Sequence, residues 1–336
     1  MSAPAASFMA DAGIRRVLVT GGAGFVGANL VRRLIGDGHD VHLALRASSP
    51  TWRLDELAGR FTPHHIDLGD PTAVRAVLAD LRPQWIFHLA TYGAYPNQNN
   101  FDLALQTNVV MTTGLVHAAL EVGFESFIVA GSSSEYGTKD HPPGEVEGLD
   151  PISYYAATKA AATVLCRQLA ASYSANLVIL RLYSVYGPFE EPRRLIPAII
   201  RESWGNHLPA LVGPETAHDF VFVTDVVEAF VLCAERSDHA PGAIYNVSSG
   251  TQLTLREVVE VGRDVLHVTA EPDWGSMPGR PWDTAIWQGD SSLLRLATGW
   301  QAVHPFRAGL SLTADWFQAR PEMRERYEAA QDHRHG

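Results

Sequence analysis

The sequence predicts an α/β fold, a Rossmann-type, doubly wound parallel sheet with a smaller C-terminal substrate-binding region. In the first half of the 336-residue chain, short apolar runs alternate with longer helical runs, the pattern of parallel strands covered on both faces. A glycine-rich turn joins the first apolar run to the first helical run. After Tyr186 prolines become frequent and the regular alternation ends, which indicates a second, loop-rich region.

Six runs are predicted as strands, namely Arg15–Thr20, Asp40–Arg46, Thr62–Ile66, Gln84–Leu89, Ser126–Ala130 and Leu177–Leu182. Four are predicted as helices, namely Phe25–Gly36, Pro71–Leu81, Phe101–Val122 and Tyr154–Ser174. Val221–Val223 with Asp225–Glu235 is expected to return to the main sheet as a further strand and helix. We expect the main domain over residues 14–186 and about 219–248, the second region over 187–218 and 249–320, and flexible ends over 1–13 and 321–336.

Composition and charge narrow the class of protein. The hydrophobic content of 46% is that of a globular chain with a sizeable core. A net charge of −11 argues against nucleic acid or an anionic membrane as partner. No apolar run is expected to span a membrane, the first residues lack signal-peptide features, and no Cys/His cluster has metal-ligand spacing. We therefore expect a cytoplasmic protein without a metal, in which Cys166 and Cys233 are buried and reduced.

The turn between the first strand and the first helix predicts a dinucleotide-binding site. Its glycines are spaced as Gly21, Gly24 and Gly27, so that the chain can turn tightly, approach a pyrophosphate and pack its helix on the sheet. Backbone N–H groups at Phe25 and Val26 would then face the phosphates.

The end of the second predicted strand bears on the choice of cofactor. Proteins that favour NAD usually carry a carboxylate there, whereas this chain has Arg46 followed by Ser48. Because a guanidinium can bind a 2′-phosphate that a carboxylate would repel, NADP is expected, with NAD possible. Asp67 and Leu68, after the third strand, are candidates for contact with the adenine.

Tyr155 and Lys159 form the candidate catalytic pair. Four residues apart in a predicted helix, they share one face, and Lys159 is one of two lysines among 26 basic residues. An ammonium near a phenol favours the phenolate and lowers the pKa of the tyrosine toward working pH. The serine-rich turn that begins at Ser132 follows the fifth strand, at the edge where open α/β sheets bind ligands.

In these motifs the chain resembles the extended short-chain dehydrogenases/reductases of the nucleotide-sugar epimerase, dehydratase and reductase group, over roughly residues 15 to 318. The further segments that carry the resemblance are His88-Leu89-Ala90, Asn108, the run from Pro151 to Lys159, Tyr186-Gly187-Pro188, the run from Asp219 to Asp225, Tyr245-Asn246-Val247, Gly279-Arg280-Pro281 and Gly299-Trp300.

The resemblance implies residue roles. Ser132, Tyr155 and Lys159 would be the catalytic set, and the loop Thr91 to Tyr95 would lie over the sugar. It also implies a cofactor site completed by Leu89, Ala90, Thr91 and Asn108, and a substrate site formed by Tyr92, Ser133, Ser184, Arg194, His218 and Arg280.

Departures from the family pattern bear on the reaction. The 4,6-dehydratases place a glutamate two residues after the catalytic hydroxyl, where this chain has Ser134, with Glu135 one place late. Dehydration is therefore disfavoured. His218 stands where an arginine is usual and Ser184 where many members have asparagine, which alters two substrate contacts. Arg46 and Arg53 resemble the NADP-using GDP-mannose dehydratase branch.

These observations favour an NADP-dependent reductase of a nucleotide-linked 4-keto-6-deoxy sugar, in which Tyr155 donates the proton. The alternative is an NAD(P)-dependent nucleotide-sugar 4-epimerase, which needs the same residues. A 4,6-dehydratase and a non-catalytic binding protein of the same fold are less favoured. The resemblance also implies a homodimer formed through the helices Phe101–Val122 and Tyr154–Ser174.

Overall fold

The computed structural model describes residues 13–95, 98–279 and 284–332. Its strands are β1 (Arg16–Thr20), β2 (Asp40–Leu45), β3 (Thr62–His65), β4 (Trp85–His88), β5 (Ser126–Ser132), β6 (Leu177–Leu182), β7 (Ser184–Tyr186), β8 (Ala217–Phe222), β9 (Ala243–Val247) and β10 (Gln252–Thr254). Seven of them form one parallel sheet in the order β3-β2-β1-β4-β5-β6-β9. The predicted doubly wound sheet is confirmed, and all six predicted strands lie in it.

The helices are α1 (Phe25–Gly36), α2 (Pro71–Leu81), α3 (Phe101–Leu105), α4 (Thr112–Val122), α5 (Tyr154–Tyr173), α6 (Leu195–Ser203), α7 (Val223–Ala234), α8 (Leu255–Leu266), α9 (Ser292–Thr298), α10 (Phe306–Gln318) and α11 (Pro321–Asp332). Helices α1 and α7 cover one face of the main sheet, and α2, α4 and α5 cover the other. A π-helical turn, Gln106–Met111, joins α3 to α4. Both cysteines are buried and unpaired.

The strand order places the ligand-binding edge. The chain proceeds outward from β1 to β2 and β3, then crosses to β4 on the other side of β1. At such a switch point the loops after β1 and β4 diverge and leave a crevice at the carboxyl ends of the strands. The glycine turn, Leu89 and Ala90 all lie at this crevice, and Ser132 ends the neighbouring strand β5.

The predicted return of Val221–Val223 to the main sheet is wrong. This segment ends β8, which pairs with β7 in parallel and with β10 in antiparallel orientation in a separate three-stranded sheet. The strand that returns to the main sheet is β9, beside β6. Helix α7 does pack on the main sheet next to α1, so the helix was placed correctly and its preceding strand was not.

The C-terminal residues also differ from the expected flexible end. Residues 321–332 form α11, and the side chain of Tyr327 on this helix is fully buried. Its ring packs edge-on against Phe317 and its hydroxyl donates a hydrogen bond to the carbonyl oxygen of Glu190. Tyr327 therefore anchors this mostly polar helix, and Met323 packs against the same core cluster.

Contrary to expectation, one helical run among the described residues, Phe101–Val122, is long and apolar enough to span a membrane by length and composition alone. In the fold, its residues Leu115, Val116 and Ala119 pack in the core beneath the main sheet. Phe101, Leu103 and Val110 leave an exposed apolar face on the same run.

Candidate active site

Close backbone contacts explain the glycine turn. Gly21 has a φ of +70°, and a Cβ there would lie 2.6 Å from the backbone nitrogen of Ala90. A Cβ on Gly27 would overlap the carbonyl oxygen of Gly21. Glycine is thus required at both positions, because the turn packs against the loop after β4 on one side and against its own helix on the other.

The start of α1 suits an anionic ligand. Gly24 is the N-cap, so no side chain accepts the free N–H groups of the first turn, and no acidic residue lies in that turn. Gly24 is exposed, and Phe25 and Val26 are partly exposed. Uncapped N–H groups at a helix N-terminus bind phosphate through their dipoles and hydrogen bonds. The residues present therefore fit the pyrophosphate of a dinucleotide.

At the far end of this crevice, Arg46 and Ser48 are exposed after β2. Asp67 is exposed, with one carboxylate oxygen accepting a hydrogen bond from the backbone nitrogen of Gly69 at 2.8 Å; Leu68 is half-buried beside it. Arg53, in contrast, is buried and donates from Nε to the carbonyl oxygen of Phe189 at 2.7 Å. Because the Arg53 side chain is hydrogen-bonded inside the protein, Arg46 is the one of these two arginines that faces solvent.

Asn108, predicted to contact a cofactor, makes four hydrogen bonds within the protein. Its carbonyl oxygen accepts hydrogen bonds from the Tyr92 backbone nitrogen at 2.8 Å and the Thr91 hydroxyl at 3.0 Å. Its amide nitrogen donates to the Tyr92 carbonyl oxygen at 2.7 Å and to the Thr158 hydroxyl at 2.9 Å. The amide thereby uses its donors and acceptors within the protein, and it fixes the loop after β4 to helix α5.

The predicted catalytic set is brought together where β5 ends and α5 begins. The Ser132 side chain is close enough to Tyr155 to act on the pKa of its hydroxyl group. Lys159, buried one turn further along α5, donates from Nζ to the carbonyl oxygen of Ala130 on β5. The three predicted side chains thus share one corner of the crevice.

The expected lowering of the tyrosine pKa is not what the structure shows. Burial raises the pKa of Tyr155 above its ordinary value, while the hydrogen bond from Ser132 and the positive charge of Arg194 act in the opposite direction. Burial also lowers the pKa of Lys159. In this structure Lys159 contacts a backbone carbonyl, and Arg194 is the cation whose charge lowers the pKa of Tyr155.

Glu135, the acidic residue nearest to the catalytic serine, is fully buried. Its carboxylate accepts a hydrogen bond from Arg181 Nε at 2.9 Å and another from the Ser132 backbone nitrogen at 2.8 Å. Ser134 occupies the place of the dehydratase glutamate, and its hydroxyl lies 2.7 Å from that of Ser132. Where a dehydratase is expected to carry its acid–base residues, this chain therefore has Ser134, and the adjacent Glu135 is held in a buried ion pair with Arg181.

The predicted substrate residues are dispersed around the crevice. The Ser184 hydroxyl and His218 Nδ1 are 3.3 Å apart on the neighbouring strands β7 and β8. Tyr92 is half-buried in the loop that Asn108 holds. Ser133 is buried and lines a narrow cleft with Tyr183 and Trp287 behind the serine turn.

Arg194 is exposed at the start of α6, and its guanidinium lies 6.0 Å from the ring of Tyr95. Arg280 lies outside the described residues. Sequence reasoning missed Glu190 as a member of this surrounding. It named Tyr95 only as part of the loop expected over the sugar, and Ser134 only as the residue in place of the dehydratase glutamate.

Comparison with known proteins agrees with this geometry. The family model described as the NAD dependent epimerase/dehydratase family matches residues 17–248. A UDP-glucose 4-epimerase of Mycolicibacterium smegmatis is 30% identical over 315 residues, which cover 90% of this chain and 98% of that enzyme. A mouse dTDP-D-glucose 4,6-dehydratase is 26% identical over 324 residues, which cover 90% of this chain and 89% of that enzyme.

Among solved structures, MoeE5 in complex with UDP-glucuronic acid and NAD is similar with a TM-score of 0.80 at 31% identity, covering 91% of this chain and 99% of that one. The extent of the family match and the likeness to the epimerase decide the class. The chain belongs to the NAD-dependent epimerase/dehydratase family and is an enzyme of that family.

Proposed function

We propose that this protein is a nucleotide-sugar 4-epimerase that keeps its nicotinamide dinucleotide bound during turnover. The observation that carries the proposal is the Tyr155–Ser132 hydroxyl pair next to the glycine turn, combined with the burial of Glu135 in its ion pair with Arg181. The pair supplies acid–base chemistry at one sugar hydroxyl, and no carboxylate in the serine turn is free to act at the neighbouring carbons.

In this mechanism, the dinucleotide would supply reversible hydride chemistry at C4 of the sugar. Tyr155 takes the proton of the 4-hydroxyl group and later returns it, while Ser132 holds the same oxygen by a hydrogen bond. The loop that Asn108 holds would cover the sugar and exclude water from it. Inversion follows when the sugar presents its other face to the same residues.

The reductase favoured by the sequence uses the same residues but consumes a reduced cofactor from solution. The relatives named above are epimerases and dehydratases, so their likeness supports the epimerase more than the reductase. Two observations bear on whether the cofactor is NAD or NADP, and they point in opposite directions. The exposed Arg46 favours NADP by charge, whereas MoeE5 was solved with NAD; both cofactors therefore belong in the test.

We propose a UDP-linked hexose or hexuronic acid as substrate. UDP-glucose and UDP-glucuronic acid are the sugars in the names of the similar epimerase and of the MoeE5 complex. Arg194, whose charge reaches Tyr155, would attract an anionic group at the sugar end of the site. His218 and Ser184 supply the polar contacts at the opposite wall.

The test uses the purified protein with UDP-glucose, UDP-galactose, UDP-glucuronic acid and UDP-N-acetylglucosamine, each with NAD, with NADP and without added cofactor. Chromatography identifies the products, and absorbance at the reduced-nicotinamide band follows any net redox change. Formation of a 4-epimer without net absorbance change supports the proposal. Stoichiometric oxidation of added NADPH with a 4-keto-6-deoxy sugar would instead support the reductase.

We also propose a homodimer in the cytoplasm. The exposed apolar side chains Phe101, Leu103, Tyr154 and Val164 lie on α3 and α5, the helices expected at the interface. The rings of Phe101 and Tyr154 contact each other in a tilted arrangement with centroids 5.0 Å apart. A large exposed apolar patch of this kind favours burial against a second copy, and light scattering at low micromolar concentration would measure the mass.

A further inference from the structure

The loop between β7 and α6, residues 187–194, contains a buried carboxyl group that the proposed mechanism does not use. Glu190 is 5% exposed. Its Oε1 atom lies 3.8 Å from Arg194 Nε, and its Oε2 atom is buried without a hydrogen-bond partner among the described residues. A buried carboxyl oxygen without a hydrogen-bond partner is energetically unfavourable. A functional role for Glu190 beside Arg194 would explain why the carboxyl group is there.

The backbone of this loop is held at three consecutive residues. Asn29 on α1 donates to the carbonyl oxygen of Pro188 at 3.0 Å, and Arg53 donates to that of Phe189 at 2.7 Å. Tyr327 on α11 donates to that of Glu190. Since the backbone is fixed from three sides, the pairing of Glu190 with Arg194 depends on their side chains alone.

Arg194 connects this loop to the reacting end of the site. Its guanidinium lies 6.0 Å from the ring of Tyr95, and its charge lowers the pKa of Tyr155. Its side chain is 45% exposed, compared with 6% for Glu190. The arginine therefore lies with one side against the buried carboxyl and the other exposed to solvent near Tyr95, in the loop expected over the sugar.

We infer that Glu190 is a positioning residue that holds Arg194 at the sugar end of the site, and that ionisation of its carboxyl sets how much positive charge Arg194 offers to an anionic substrate. The inference deepens the proposed function and rests on it for the identity of the substrate. When Glu190 is neutral, the full charge of Arg194 is available to the ligand. When Glu190 is ionised, the two side chains pair and the attraction falls.

The groups around Glu190 shift the ionisation of its carboxyl into the pH range in which an enzyme works. Burial raises the pKa of Glu190 to about 8, and the charge of Glu191 adds to the increase. The charges of Arg194 and Arg53 and a hydrogen bond from the backbone of Gly187 lower it. The other titratable groups whose pKa values respond to the charge of Glu190 are Tyr95, Tyr186 and Tyr327. All three are phenols with raised pKa values, so they remain neutral while Glu190 titrates.

The experiment measures the dissociation constant of UDP-glucose and of UDP-glucuronic acid by calorimetry between pH 6.5 and 9.5. Binding of UDP-glucuronic acid to the unaltered protein should weaken about three- to fivefold as the pH rises through 8, the range expected for a partly exposed charge pair, and UDP-glucose, whose sugar is uncharged, should show a smaller step. Glu190→Gln should bind with nearly constant affinity over this range. Loss of the pH step in the variant supports the inference, and a step that persists unchanged would overturn it.

Glu191→Gln is the matched control. Its carboxylate lies 3.6 Å from Arg53 Nη2 and 3.5 Å from Arg193 Nε, and thus pairs with arginines other than Arg194. This variant should keep the pH step. If it loses the step as Glu190→Gln does, the effect comes from general disturbance of the loop and the inference is wrong.

A second readout does not depend on turnover or on the substrate. Carbon-13 labelling of the glutamate carboxyls allows NMR to find one that titrates near pH 8 and disappears in Glu190→Gln. Arg194→Gln, on the exposed side, should move that titration to higher pH because it removes a positive charge. A Glu190 carboxyl that titrates near the ordinary glutamate value would overturn the inference, whereas a missing epimerase activity with the titration present would count against the proposed function alone.

Discussion

The carboxylate of Glu135 is 2.9 Å from the guanidinium of Arg181, and both side chains are buried beneath the catalytic serine turn. Arg181 also donates to the carbonyl oxygen of Glu145 and lies over the ring of Tyr136 at 4.5 Å. Glu135, one place after the position of the dehydratase glutamate, is therefore part of the support of the turn. With Ser134 at that position, this relationship favours the proposed epimerase over a 4,6-dehydratase.

Removing the charge of Glu135 should destabilise the fold. Glu135→Gln leaves the Arg181 guanidinium buried without its counter-ion, which is expected to lower the free energy of unfolding by about 3–5 kcal/mol. Urea denaturation measures the change. Glu125→Gln is the control, because Glu125 pairs with Arg15 at the surface with 46% of its side chain exposed and should lower it by less than about 1 kcal/mol. Equal effects of the two substitutions would contradict the structural role of Glu135.

Replacing Tyr155 by Phe should abolish turnover and preserve cofactor binding. The loss of the proton-transferring hydroxyl is expected to reduce kcat by about 10²–10⁴-fold, while the dissociation constant of the dinucleotide changes little. Tyr154→Phe is the matched control. Tyr154 is the preceding residue and is 64% exposed, so this substitution should leave kcat unchanged. Retention of turnover in Tyr155→Phe would remove the catalytic assignment.

A single methyl group at Gly27 should prevent dinucleotide binding. Its Cβ would overlap the carbonyl oxygen of Gly21, so the turn must move away from the position in which α1 presents its free N–H groups. Fluorescence titration with NAD and NADP measures the loss. Gly36→Ala, at the other end of the same helix, has nothing within 4 Å of its new Cβ and should bind normally. Normal binding by Gly27→Ala would contradict the site.

The stability of the protein should fall below about pH 6.5 because of His88. Burial, with a smaller contribution from Lys159, lowers the pKa of His88 to about 3, and the ring is held between the Thr20 and Thr112 hydroxyls at 2.7 and 2.8 Å. Below the ordinary histidine pKa, His88 is protonated in the unfolded chain but stays neutral in the folded chain. The free energy of unfolding therefore decreases as the pH falls from about 6.5 toward 3.

Between pH 6.5 and 5 this group should remove about 2 kcal/mol of stability. The measurement is urea denaturation at both pH values for the unaltered protein, for His88→Gln and for His117→Gln, an exposed histidine with 49% of its side chain in solvent. His88→Gln should show a smaller loss on acidification, and His117→Gln should behave like the parent. An unchanged loss in His88→Gln would show that another group is responsible.

Local patterns in the sequence were sufficient to predict the main sheet and to place Tyr155 and Lys159 on one helix, whereas Ser132 was assigned through the family resemblance. Apolar runs between helical runs determine a parallel sheet, and the four-residue spacing of Tyr155 and Lys159 places both on one helix face. Both features are encoded over fewer than about twenty residues, the scale on which periodicity is informative.

What was not predicted depends on contacts between distant residues. The sequence around Val221 reads as a strand, but its pairing with β7 instead of β6 is decided by packing in the second region. Glu135 meets Arg181 and Glu190 meets Tyr327 across 46 and 137 residues. No local pattern marks such pairs: the first holds a carboxylate in an ion pair, and the second docks α11 on the backbone of the loop at Glu190.

The most direct test of the epimerase proposal follows a deuterium label. UDP-glucose or UDP-glucuronic acid carrying deuterium at C4 is incubated with the purified protein without any added reductant, and the recovered 4-epimer is examined by mass spectrometry and NMR. The proposal predicts that the epimer forms and retains deuterium at C4. Absence of the epimer across the substrate panel, together with a product that forms only as added NADPH is consumed in equal amount, would contradict it.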